Sequence, residues 1–134
     1  MPKPVPIGTR GEAETTVEAR HTLTAWKEHL PPVYSTPQMI GLMEAAGYYA
    51  LEPFLEDDEV SVGTAINIAH RAPAVVGQKI KAEAVLEKFD GRFYTFRVSA
   101  SNGQEVIGYG TIARAIVSKG KFEEKQRAKL ASKV

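Results

Sequence analysis

The chain contains no cysteine. That excludes disulfides, thiol nucleophiles and cysteine-built metal centres. Its three histidines, His21, His29 and His70, fall on different elements without ligand spacing, so no metal is expected. No apolar run is long enough to cross a bilayer. The short opening MPKPVPIG lacks the apolar core of a signal peptide, so the expectation is a cytoplasmic protein that meets no membrane. Neither sign of charge is in excess. Seventeen Lys and Arg against sixteen Asp and Glu leave +1, mixed through the chain, which argues against a nucleic-acid surface. The GxSxG elbow, the P-loop, GxGxxG and HExxH are all missing.

What is present fits one domain of 134 residues, long enough to bury a core without staples. Pro2, Pro4 and Pro6 make residues 1–10 an extended lead-in. Residues 11–23 read as an edge-like strand, and 24–35 hold at most one helical turn before Pro31 and Pro32. A long helix follows, with Thr36 expected as N-cap and Pro37 as its first residue, or with a start at Gly41 after an irregular turn. It ends near Pro53 or Leu55. The stretch 59–72 alternates, and Val60, Val62, Thr64, Ile66, Ile68 and His70 are expected to share one face. Strands over 79–89, 92–100 and 105–118 are joined by Asp90-Gly91 and Asn102-Gly103, pairs expected to take positive φ in tight hairpins. The closing 119–134 is a charged helix or tail. A sheet with one apolar face must bury it, and the single long helix is the only large cover. The expectation is an α+β domain in which a curved antiparallel sheet wraps one central helix.

Four polar residues stand on otherwise apolar elements: Thr36, Glu44, His70 and Arg114. Each of three has a plain structural reading. Thr36 serves as an N-cap, His70 as a strand-end residue, and Arg114, between Ile112 and Ile116, as an ion-pair partner. Glu44 has none of these: either it only marks the helix edge, or something needs a carboxylate at that place. Ile40, Gly47, Tyr48 and Leu51 share its side of the helix, where bare charge is costly.

The segments VYSTPQMIGLMEAAG (33–47), VGTAINIAHRAPAVVGQKI (62–80) and RVSASNGQEVIGYGTIARAIV (97–117) together resemble hotdog-fold thioesterases, particularly the fluoroacetyl-CoA thioesterase-like family. The resemblance runs from about Thr24 to Lys125. It implies a hotdog fold, a catalytic trio of Thr36, Glu44 and His70, and substrate-pocket roles for Gly63 and Arg114. It also implies hydrolysis of a small acyl-CoA to free acid and CoA, with CoA as part of the substrate and no separate cofactor. The family pairs as homodimers with sites in the interface. Its phenylalanine-bearing lid corresponds to 22–34, which here holds Trp26, Leu30 and Tyr34 and no Phe, so fluoroacetyl preference is not carried over. On one straight helix Thr36 and Glu44 would stand about 12 Å apart along the axis. Either residues 36–40 fold back, or the two act in one site from different subunits, and the second arrangement is the favoured expectation. Glu44 is then expected as base or nucleophile, Thr36 and the helix N-terminus at the oxyanion, and His70 as orienter or acid. Arg71, which adjoins His70, and the C-terminal basic residues are candidates for the CoA phosphates. A non-catalytic acyl-CoA binder and a hotdog hydratase or dehydratase are the rival readings.

Overall fold

The computed structural model describes residues 2–132; Met1, Lys133 and Val134, the ends of the expected lead-in and tail, lie outside the described residues. Five strands and two helices follow in the order β1 (Arg10–Thr16), α1 (Thr36–Leu51), β2 (Glu59–His70), β3 (Lys79–Phe89), β4 (Phe93–Ser101), β5 (Val106–Ser118) and α2 (Lys119–Ser132). All neighbours pair antiparallel in one sheet of order β1-β3-β4-β5-β2. The sequence of one strand, one long helix and four further strands is as expected.

Helix α1 starts one residue earlier than its expected cap. Ser35, in an extended conformation, is the N-cap, and its hydroxyl accepts from the Gln38 N–H at 3.4 Å. Thr36 is therefore the first helical residue, and its side chain is free for other work. At the far end Pro53 falls in a short 3-10 turn, Glu52–Phe54, that closes the helix. Along α1, Met39, Met43, Ala46, Ala50 and Leu51 are fully buried. They meet a sheet face whose period-2 pattern is regular on β3, where Ile80, Ala82, Ala84 and Leu86 are all buried. The helix leans on β1 and β3 more than on β5 and β2. On β1, Gly11 is packed so tightly that a Cβ there would stand 2.1 Å from the Ala46 carbonyl oxygen.

Three details of the strands depart from expectation. The first strand ends at Thr16, and the next residues coil into short 3-10 turns, Ala19–His21 and Leu23–Ala25, under the sequence 17–26. In the hairpins only Gly91 and Gly103 take positive φ. Asp90 and Asn102 instead cap their turns, each accepting two backbone N–H groups through the side chain. On β2 the face assignment changes phase. Its register against β5 shifts between Gly63 and Ala65, a bulge that inserts one residue. Ser61 and Gly63 face the helix before the bulge, with Ser61 bonded to Arg114 and Gly63 against Glu44. After it, Ile66, Ile68 and His70 do, because Ile66 pairs with buried Ile112. Val60 and Val62 therefore lie on the opposite face from His70.

Strand β2 is the sheet's edge, twelve residues long, and Gly63–Asn67 are exposed. Ile66 is on the helix-side face yet 53% exposed. The apolar inner surface thus runs out past the helix towards an unpaired edge. At the other end of this strand Asp58, in the left-handed conformation (φ 67°), accepts from Ser118 Oγ and Gly120 N and ties α2 to the sheet. Those bonds hold the Asp58 carboxyl below its usual range. No helix among the described residues is long and apolar enough to cross a membrane.

Candidate active site

The five residues expected at the site fall into two clusters on the helix-facing side of the sheet. The first is at the start of α1. Thr36, at the first helical position, places its hydroxyl 2.7 Å from His70 Nδ1 at the last position of β2. His70 Nε2 is buried and has no hydrogen-bond partner among the described residues. Both side chains line a cavity of about 280 Å3 with Leu23, Val33, Tyr34 and Arg71. Pro37 has no N–H, and Gln38 directs its own to Ser35. At this helix end a donor for an incoming oxygen therefore falls chiefly to Thr36.

The segment 22–34 covers this end of the helix. It is tied down by Leu23 N–H donating to Val33 O and by a bridge between Thr22 and Tyr34. Tyr34 is buried beneath it and donates to the Gln38 carbonyl at 3.3 Å. Burial pushes its phenol up to about 12. Trp26 is 77% exposed.

The second cluster lies two turns further along α1. Glu44 Oε1 is 3.3 Å from Arg114 Nη1. The two form an ion pair without the alignment of a hydrogen bond, so Oε1 is buried with that capacity unspent. The other carboxylate oxygen rests on the backbone of β2 at Gly63, where a Cβ would stand 2.1 Å from Oε2. Arg114, only 6% exposed, donates from Nε to Ser61 Oγ at 3.0 Å and from Nη2 to Ser61 O at 2.9 Å. Gly63 and Arg114, expected at the substrate pocket, thus both bear directly on Glu44. Ser61 was not singled out from the sequence. A lone serine within an alternating strand carries no signal of its own, and its link to Arg114 spans 53 residues.

Within one chain, then, Thr36 and His70 are joined, Glu44 is joined to Arg114 and Gly63, and the two groups stand apart along the helix. Residues 36–40 do not fold back, because α1 is helical from Thr36 onward.

A curled five-stranded antiparallel sheet with one long helix, carrying this polar set, defines a hotdog-fold thioesterase. Comparison with known proteins agrees. Residues 17–120 match the family of FlK, the fluoroacetyl-CoA-specific thioesterase. A fluoroacetyl-CoA thioesterase from Streptantibioticus cattleyicolor is 42% identical over 99 residues, covering 74% of this chain and 71% of that protein. The solved structure of the fluoroacetyl-CoA thioesterase FlK superposes with a TM-score of 0.88 at 34% identity, over 95% of this chain and 98% of that one. A thioesterase-superfamily member from Thermus thermophilus gives 0.89 at 31% identity, with 96% of each chain covered. The chain belongs to the fluoroacetyl-CoA-specific thioesterase family, and it is a thioester hydrolase.

Proposed function

We propose that this enzyme hydrolyses a small acyl-CoA to the free acid and CoA in a site shared between two copies of the chain. The observation that carries the reading is a pair of complementary, unspent groups. His70 Nε2 is a buried ring nitrogen without a partner, and Glu44 Oε1 is a buried carboxylate oxygen without a hydrogen bond. They lie at different heights along one helix but on the same side of the sheet. Strand β2 supplies the means to join them. It is a long edge strand whose exposed stretch, residues 63–67, carries Ile66, a surface that invites antiparallel pairing with its own copy. A two-fold axis at Asn67 sets His70 of one copy opposite the Gly63–Thr64 bulge of the other, with the bulge counted as one position. It also keeps helix-side residues opposite helix-side residues. Glu44 of the partner subunit then faces His70. FlK itself has been solved as a threonine-to-serine variant with acetyl-CoA, which supports a short acyl-CoA as the substrate class here.

The chemistry follows from the contacts. With His70 Nδ1–H donating to Thr36, the threonine O–H is left to meet the carbonyl oxygen as it gains charge, helped by the positive end of α1. The carboxylate of Glu44 takes a proton from water as the water oxygen attacks the carbonyl carbon. Glu44 hands that proton to His70 Nε2, and as the C–S bond breaks the departing thiolate takes it from there. The same carboxylate can instead attack the carbonyl carbon directly, giving an anhydride that water then opens. Arg71, exposed and lining the cavity, is a candidate for the CoA phosphates.

The test uses two inactive variants. Glu44→Gln and His70→Ala are each expected to lose turnover by ~10²–10⁴ in a thiol-release assay over short, branched and aromatic acyl-CoAs. Co-refolding equal amounts then gives mixed dimers, each with one site that has both wild-type groups. About a quarter of wild-type activity returns if sites are shared between subunits. No recovery in dimers verified as mixed places both groups in one chain and refutes the shared site. Near-wild-type hydrolysis by Glu44→Gln alone refutes its role as base.

A further inference from the structure

We propose that Ser61 is a positioning residue for hydrolysis, acting through Arg114 to fix the Glu44 carboxylate. This rests on the reading of Glu44 as the catalytic carboxylate. The case begins with burial. A guanidinium 6% exposed is costly unless its donors are met. Arg114 meets the cost in an asymmetric way. Nε and Nη2 both donate to one residue, Ser61, through its hydroxyl and its carbonyl. Two bonds to a single neighbour fix the plane and rotation of the planar fork. The third nitrogen, Nη1, is thereby aimed, and it is aimed at Glu44 Oε1.

The backbone bond alone would hold the arginine's position but leave it free to turn about that contact. The hydroxyl bond at Nε removes the turn. Ser61 also stands two residues before Gly63, whose bare backbone seats the other carboxylate oxygen. One short piece of β2 therefore locates both oxygens of Glu44, one directly at Gly63 and one through Arg114. Ser61 itself is 6% exposed and faces inward, and its hydroxyl and its carbonyl both accept from the guanidinium. It touches no reacting atom, so its influence travels only through the guanidinium.

The experiment measures kcat and KM by thiol release for Ser61→Ala, Ser61→Thr and Ser61→Cys, in the wild type and in the Glu44→Gln background, with melting curves for each. A tenfold fall in kcat for Ser61→Ala is expected, with KM within twofold, recovery in Ser61→Thr, which restores a hydroxyl, and no further loss when Glu44 is already Gln. Ser61→Cys, close to serine in volume but a weak acceptor, keeps the test open if the alanine variant does not fold, and it is expected to follow alanine. An equal loss in both backgrounds overturns the proposal, because Ser61 would then act independently of Glu44. An unchanged kcat overturns it as well, and so does a rise in KM alone, which would make Arg114 a substrate contact. If Glu44→Gln is itself fully active, the underlying reading of Glu44 fails, and this result is distinguishable from the failures of Ser61.

Discussion

Replacing Gly63 by alanine tests the seat of the carboxylate directly. A Cβ at this position would stand 2.1 Å from Glu44 Oε2, whereas ordinary contact begins near 3.4 Å. The oxygen must therefore retreat by about 1.3 Å, the difference between those distances. What it meets is the far end of a flexible side chain rather than backbone, so the carboxylate moves and the strand stays. Gly63 does not have a positive φ, so alanine suits the backbone there and shortens the list of unfolded conformations, worth roughly 0.4–1 kcal/mol in favour of the fold. Against that stands the weakened pairing of Glu44 with Arg114, so the melting temperature is expected to change little. Activity is a different matter. A misplacement near 1 Å costs on the order of 10² in rate, or about 2.7 kcal/mol of transition-state stabilisation. The expected result is kcat down roughly a hundredfold, KM nearly constant and urea midpoint nearly constant, read by thiol release from a short acyl-CoA and by equilibrium unfolding. A fully active Gly63→Ala with an unaltered melting curve refutes the reasoning, since the carboxylate's place would then not matter. A rise in KM with kcat intact refutes it differently, by showing that the glycine serves the substrate's approach.

Gly11→Ala makes the converse prediction. The added Cβ would lie 2.1 Å from Ala46 O and 2.5 Å from Ala50 N, both backbone, so β1 and α1 must separate; ~1–3 kcal/mol of stability is expected to go, seen in thermal unfolding, while kcat of the folded fraction holds. Tyr34 predicts a pH dependence. Its phenol is pushed up to about 12 by burial, so the folded state keeps a proton that the unfolded chain releases near pH ~10; stability is therefore full below that pH and falls as pH rises to about 12, by ~3 kcal/mol for a shift of ~2. Tyr34→Phe is expected to be slightly less stable than wild type at pH ~9, having lost one long hydrogen bond, and more stable above pH ~11; parallel stability curves for the two proteins in urea would contradict the burial argument.

The fold was legible because its signals are local. Alternation on β3, Asx-Gly turns after β3 and β4, and a proline-bounded apolar helix need only neighbouring residues to be read. Glu44 was legible for the same reason, as a charge with no local excuse. The cap at Ser35 was misplaced by one residue because Ser-Thr-Pro offers two cap-like side chains in a row, and only the backbone shows which one is extended. Ser61 and the contact of Gly63 with Glu44 were not legible. One depends on Arg114 arriving from a strand 53 residues away, the other on how closely α1 approaches β2. Neither leaves a pattern in the stretch around it.

The face error on β2 shows what the irregular step in that strand is for. Residues 63 and 70 are an odd number of positions apart. In an unbroken strand, where side chains alternate, a seat for Glu44 at Gly63 would force His70 to the solvent face, out of reach of Thr36 and of the helix. The inserted residue between Gly63 and Ala65 restores phase. It turns His70 inward to its 2.7 Å contact with Thr36 while Ser61 and Gly63 still face Glu44 and Arg114. The bulge also lies within the exposed stretch that a second copy would cover. The same feature therefore sets which way the imidazole points and, in the proposed dimer, where the opposing strand would have to bend to meet it. A regular strand of the same composition would pack as well and hold the sheet as well, but it could not carry the carboxylate's seat and the imidazole on one side.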